Sequence, residues 1–277
     1  MKDYRILRFP YFKDKAVTLS YDDGVVFDKK LVEIMDEYGL KGTFNINSEL
    51  FAKEEGGRRM TKQEVYEFFV NSVHEVALHG ANHLSLATVP SEIATKDVLV
   101  DRINLEKMFN KPVCGMAYAN GSYDDNVVEI LKNCGVKYSR TVISTGNFAI
   151  PTDWLRLPTT CHHGDLKLME YVQRFLEDDS KKHIWARRPK LFYLWGHSYE
   201  FNDNNNWEII ENFAQAVGNR EDVWYATNIE VYEYVKAFDN LVWGVNADFV
   251  YNPSARDVYI DYLGKNVIIP AGKKVDI

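Results

Sequence analysis

Short apolar runs alternate with stretches of helical period along most of this 277-residue chain. That alternation limits the fold more than any other feature. Ala16–Tyr21 (AVTLSY) reads as a strand buried on both faces. The residues after it place Phe27, Leu31, Ile34, Met35 and Tyr38 at helical spacing, with Gly39 as the stop. GTFNIN (42–47) reads as a strand, followed by a helix near Thr61–Phe69, a strand in HEVALHG (74–80) and a helix between Ser91 and Phe109. VCGMAY (113–118) is a strand, and a helix over Asp124–Cys134 is stopped by Gly135. KYSRTV (137–142), WLRLPTT (154–160) and KLFYLWGH (190–197) are strands, and the helix after the last ends at Gly218. VWYATN (223–228) and a helix capped by Asn228 close the series near Phe238. Repeated βα units predict a parallel sheet, open or closed as a barrel, with ligands at the carboxyl ends of the strands.

From about Leu241 the helical period disappears and short β segments are punctuated by Asn252-Pro253, Gly264-Lys265 and Gly272. The expected organisation is therefore an α/β unit over 1–238 and a β extension over 239–277, read as a packing flap. The net charge of −7, with no Lys/Arg run longer than two, argues against nucleic acid. Cys114, Cys134 and Cys161 are odd in number and form no CxxC, which argues against a disulfide framework or a thiolate zinc site. No signal-peptide or transmembrane run is visible, so the expectation is a cytoplasmic protein without a membrane partner. The sequence leaves the oligomeric state open. Neither G-x-G-x-x-G nor Walker A occurs.

Four elements carry chemistry: YDDG (21–24), HGANH (79–83), AYANGSYDD (117–125) and LFYLWGHSYE (191–200). Each falls at or just after the end of a strand-like run. Two histidines and a carboxylate suit zinc or a similar divalent ion and leave positions open, as in a catalytic site. The second carboxylate of the Asp22-Asp23 pair can then act as general base, and a histidine on another strand end as general acid. A nearby cation makes adjacent carboxylates tolerable. Taken singly, DDG is an ordinary turn and a lone Trp-Gly-His an ordinary packing element. GHSYE approaches a nucleophile elbow around Ser198, but Glu200 stands where the second glycine is needed.

Together these motifs resemble the polysaccharide deacetylase family, the NodB-type domain of carbohydrate esterase family 4, over roughly Ala16–Phe238. The resemblance implies a distorted (β/α) barrel of about seven parallel strands that removes acetyl groups from N-acetylated sugars. It implies one divalent ion, zinc first, with cobalt, nickel, manganese or iron as alternatives. Carried over, Asp22 is the base, Asp23, His79 and His83 are the metal ligands, and His197 is the acid. Tyr118 and Asn120 fall in the substrate and oxyanion motif, where a backbone N–H helps to hold the oxyanion. Asp153 orients the catalytic histidine and Trp154 lines the pocket. Trp195, Tyr199 and Trp207 form a sugar-stacking wall or else core. His162 and His163 read as a surface loop.

The departures from the family pattern are Ser20-Tyr21 for Thr-Phe, Gly80 for Ser/Thr, Ala119 for Pro and Ala117 for the arginine that orients the base. Arg156 is the expected replacement cation, with Arg140 in reserve. Two further readings stay open: hydrolysis of another carbon–nitrogen amide bond, as in allantoinase-like relatives, and a carbohydrate-binding pseudoenzyme.

Overall fold

A computed structural model describes residues 4–179, 182–183 and 187–277. Its elements in chain order begin with β1 (Leu7–Arg8), β2 (Lys15–Asp22), α1 (Asp28–Glu37), β3 (Gly42–Ile46), α2 (Lys62–Phe69) and β4 (Glu75–Leu78). Then come α3 (Ser91–Phe109), β5 (Gly115–Ala117), α4 (Asp125–Asn133), β6 (Tyr138–Ser144), β7 (Leu157–Thr159), β8 (Cys161–His162) and α5 (Leu168–Leu176). The α/β part ends with β9 (Lys190–Gly196), α6 (Ser198–Asp203), α7 (Glu208–Val217), β10 (Val223–Tyr225) and α8 (Asn228–Asp239).

β2 is buried along all of its length because it has strands on both edges. β9 runs parallel along one edge. The other edge is shared: β3 pairs with Leu19–Asp22 and β10 with Lys15–Val17. From β3 the sheet continues in parallel through β4, β5, β6 and β7. Residues 157–162 then act as one bent strand interrupted at Thr160. Its first part pairs with β6 and its last part with β9, while Thr160 N–H donates to Tyr193 O at 2.9 Å. The sheet thus returns to β9 and β2, giving seven strand positions in the ring, with β10 attached beside the start of β2. The helix-facing sides of these strands share one core with α1–α7, around Leu19, Tyr21, Phe44, Val76, Met116, Phe192 and Phe213.

The chain after α8 forms β11 (Val242–Trp243), β12 (Phe249–Tyr251), β13 (Val258–Tyr262), β14 (Lys265–Ile269) and β15 (Lys274–Asp276). β11, β12 and β15 make one small antiparallel sheet; β1, β13 and β14 make another. The extension is therefore laced to the N-terminal segment, and the buried Arg8 guanidinium meets Asp261 at 2.8 Å.

Some elements differ from the sequence expectation. α5 was not anticipated. WLR is a 3-10 turn rather than strand, with Asp153 accepting from Leu155 N–H. The helix expected from His197 to Gly218 is two helices, broken around Asn205, which sits at φ 49°. Thr227, not Asn228, caps α8, in a reciprocal pair with Glu230.

Candidate metal and acid–base site

Asp22 closes β2, and Asp23 turns the chain away at φ 86°, a conformation a non-glycine residue holds only when its surroundings enforce it. Arg59 supplies the enforcement. Its guanidinium donates to Asp23 O at 2.5 Å, Asp23 Oδ1 at 3.1 Å and Asn47 Oδ1 at 3.1 Å. His79 follows β4. Its backbone N–H donates to the buried Asp101 carboxylate, and its Nδ1 donates to Ala117 O at 2.9 Å. That bond leaves the lone pair on Nε2, which is buried without a hydrogen-bond partner. Burial also holds the His79 pKa below its ordinary value, against the pull of Asp22 and Asp23, and so favours the neutral ring. His83 returns towards it at φ 54°, with Nε2 3.6 Å from Asp23 Oδ1. The donor atoms of Asp23, His79 and His83 all lie within 4.8 Å of one another. An orphaned neutral imidazole nitrogen, a second imidazole and a carboxylate oxygen suit a divalent cation.

Gly80 now has a physical reason. It sits at φ +76°, and a Cβ there would come 2.6 Å from Asp97 Oδ2. Asp97 is committed to Asn82 through its other oxygen, so a serine or threonine would crowd the loop that presents both histidines.

Asp22 is 2% exposed. Burial alone would raise its pKa, but the charges of Arg140, His79 and His197 and a hydrogen bond from Arg140 hold it at about 2. Arg140, itself buried, donates through Nη2 to Asp22 Oδ2 and lies over the Trp195 ring at 4.3 Å. Asn45 Nδ2 holds the other oxygen at 2.7 Å. Arg140 is the direct β6 neighbour of Ala117 on β5. The cation has moved one strand over, and the small Ala117 side chain leaves room for it. Arg156, the first expectation, is elsewhere: it pairs with Asp125 at 2.5 Å and Asp153 at 2.9 Å on the surface. The sequence signal for Arg140 was a charged residue in mid-strand on the barrel-facing side, two positions from Tyr138.

His197 follows β9 with Nε2 3.8 Å from Asp22 Oδ2. Its Nδ1 faces Glu200 Oε1 at 3.3 Å. Asp153, expected to orient it, is taken up by Arg156 and by its own turn. Trp195 joins the group, its ring 5.9 Å from that of His197. Tyr118 does not: it is buried, and its hydroxyl donates to Leu155 O at 2.7 Å. Trp154 is 6% exposed and packs edge-on to Tyr232 of α8. Asn120 is exposed beside the His83 loop, at φ 56°, with Nδ2 donating to Ser85 Oγ at 3.0 Å. His162 and His163 are not a surface loop. His163 is buried, and both rings point to Glu200. Ser198 is buried and donates to Asp28 at 2.6 Å, with no exposed hydroxyl for a nucleophile.

Residues 10–139 match the model described as polysaccharide deacetylase. No curated protein matches the sequence. A Mycobacterium smegmatis protein assigned to the polysaccharide deacetylases is similar in structure, at TM-score 0.61 and 17% identity over 84% of this chain and 94% of that one. A mutant of a CE4 family pseudoenzyme is similar at TM-score 0.50 and 16% identity, over 78% of this chain and 67% of that one. The chain spans 55% of the Streptococcus pyogenes deacetylase PplD, at 21% identity over 45% of its own length and TM-score 0.42. Over residues 10–139, just under half of its length, the chain is similar to the polysaccharide deacetylase family.

Proposed function

We propose that the protein is a metal-dependent hydrolase that removes acetyl groups from an N-acetylated sugar, as a poly- or oligosaccharide deacetylase. One observation carries the reading: the three donors Asp23, His79 and His83 converge beside a buried Asp22–Arg140 pair and His197.

Asp23, His79 and His83 would hold the divalent ion, which polarises the acetyl carbonyl and makes water a better nucleophile. Asp22 Oδ2 accepts the proton of the attacking water. Arg140 keeps that carboxylate ionised and Asn45 keeps it in place. The backbone N–H near Asn120 is assigned to the oxyanion. His197 donates a proton from Nε2 to the departing nitrogen as the carbon–nitrogen bond breaks, giving acetate and a free amino sugar. Trp195 forms a wall beside the reacting group. Arg140, which supplies from the next strand the cation missing at Ala117, supports this reading over a pseudoenzyme.

The test is acetate release from a panel of acetylated sugars, with ureides as controls, alongside metal content. His79→Ala with His83→Ala should lose both metal and turnover. Full metal retention in that double variant would remove the ligand assignment, and ureide turnover without acetate release would favour the allantoinase-like reading.

A further inference from the structure

Three histidines converge on one carboxylate at the carboxyl end of β9. Glu200 Oε2 lies 2.8 Å from His163 Nε2 and 3.1 Å from His162 Nε2. Oε1 lies 3.3 Å from His197 Nδ1. The i, i+3 spacing on the first turn of α6 brings Glu200 back under His197. His163 is held between Tyr21 and Phe201, with ring centroids at 5.8 and 4.1 Å. The strand pairing of His162 with Trp195 fixes the neighbouring ring.

Such a cluster has two chemistries open to it. His162, His163 and Glu200 offer donor atoms close enough together for a cation. Hydrogen bonding decides against this. Gly164 N–H donates to His162 Nδ1 at 3.0 Å, so Nδ1 carries the lone pair and the neutral ring carries its proton on Nε2. Nε2 is the atom that faces Glu200. It carries a proton towards that carboxylate and has no lone pair for a metal. Glu200 is correspondingly well suited to accept: burial opposes its charge, but hydrogen bonds from His162, His163 and His197 hold its carboxyl far below the usual range.

We infer that Glu200 is a positioning residue for His197, anchored by His162 and His163, taking the place that the family resemblance gives to Asp153. The inference rests on the deacetylase reading for its catalytic consequence. The Glu200 carboxylate 3.3 Å from His197 Nδ1 favours a proton on that nitrogen, so the neutral ring presents the Nε2 lone pair to the cleft and the charged ring presents Nε2–H. The titratable groups around the ring are Asp22 from β2, His162 from β8, and Tyr199 and Glu200 from α6, with Asp23 beyond Asp22. Burial opposes charging of His197, but the Glu200 hydrogen bond and the Asp22 charge outweigh it and raise its pKa.

Imidazole nitrogen NMR on metal-free wild-type protein tests the geometry without any substitution. His197 should be the Nδ1–H tautomer at alkaline pH and His162 the Nε2–H tautomer. Glu200→Gln should lower the His197 pKa by roughly one unit or more, the scale of a lost opposite charge at this range. In zinc-loaded protein, Glu200→Gln should cut kcat by roughly 10-fold or more with little change in KM. It should also move the alkaline limb of the kcat profile to lower pH, because the acid is lost as pH rises through a now lower pKa. Glu200→Asp should recover part of the pH shift. An Nε2–H tautomer for His197 in the wild type, or an unchanged His197 titration in Glu200→Gln, would overturn the inference. So would a second equivalent of zinc that Glu200→Gln loses. If no acetylated sugar is hydrolysed while the tautomers and titration are as stated, the deacetylase reading fails and the Glu200–His197 coupling stands.

Discussion

Arg140→Met removes the one guanidinium on the proposed base and keeps the aliphatic stem. What it leaves behind sets the magnitude. Asp22 is 2% exposed, retains one hydrogen bond from Asn45, and has the His79 and His197 nitrogens no closer than 3.8 Å. Two routes give the cost. Holding the carboxyl at about 2 rather than 3.8 corresponds to about 2.5 kcal/mol, at roughly 1.4 kcal/mol per pKa unit. Breaking a buried ion pair from one side costs roughly 3–5 kcal/mol. The expected loss at pH 7 is therefore about 2–5 kcal/mol. Its pH dependence has a definite sign. In the wild type the folded pKa is depressed, so the contribution is present above pH 3.8 and lost as pH falls through about 2. In Arg140→Met the carboxyl rises above its unfolded value, so the deficit against wild type is largest at neutral pH and shrinks towards pH 4. Urea unfolding of chelator-treated protein at several pH values measures this. Adding Asp22→Asn to Arg140→Met should restore stability relative to Arg140→Met alone. A deficit below about 1 kcal/mol at pH 7, the scale of an exposed pair, or no recovery in the double variant, would refute the pairing.

Three other substitutions test separate parts of the account. Glu75 is raised from 4.5 to about 7, mainly by burial; its stabilising protonated form is complete below pH 4.5 and lost as pH rises through 7. Glu75→Gln should therefore flatten the pH dependence of unfolding between those values and gain relative stability at alkaline pH; an unchanged profile would contradict this. Gly80→Ser restores the family residue but forces a side chain into φ +76° against Asp97, and should cost about 1–3 kcal/mol in thermal unfolding, whereas a neutral outcome would mean that the loop relaxes freely. Arg156→Ala removes only surface pairs and should leave kcat within about twofold; a large loss would return Arg156 to the site.

Much of the architecture was legible because apolar runs and helical periods are local signals. β2, α3 and β9 follow directly from such runs, and Asp22, Asp23, His79, His83 and His197 fall at strand ends. What was not legible depended on partners far away in the chain. Arg140 and Arg156 are alike in sequence, each inside a strand-like run, and only the β5–β6 register separates them. Tyr118 and Trp154 carry motif positions, yet their side chains turn to Leu155 and Tyr232. His162-His163 looked like loop because β8 is two residues long and is recognisable only through its pairing with β9. Glu200 was weighed as a misfit in a serine motif, and its proximity to three histidines arises only once α6 is folded. The break between α6 and α7 has a local sign in the run Asn202–Asn206 (NDNNN), poor helix formers that the reading of one helix passed over, and Asn205 takes the positive φ there.

The central claim is a single metal-dependent site built by Asp23, His79 and His83. The most direct measurement is acetate release from an N-acetylated oligosaccharide by chelator-treated protein as zinc is added back. The account predicts no release without metal and a rate that rises and saturates at one equivalent in the wild type, with no such rise in His83→Ala. Acetate release that persists after chelation, or a wild-type protein that takes up one equivalent and releases none from any acetylated sugar tried, would contradict it.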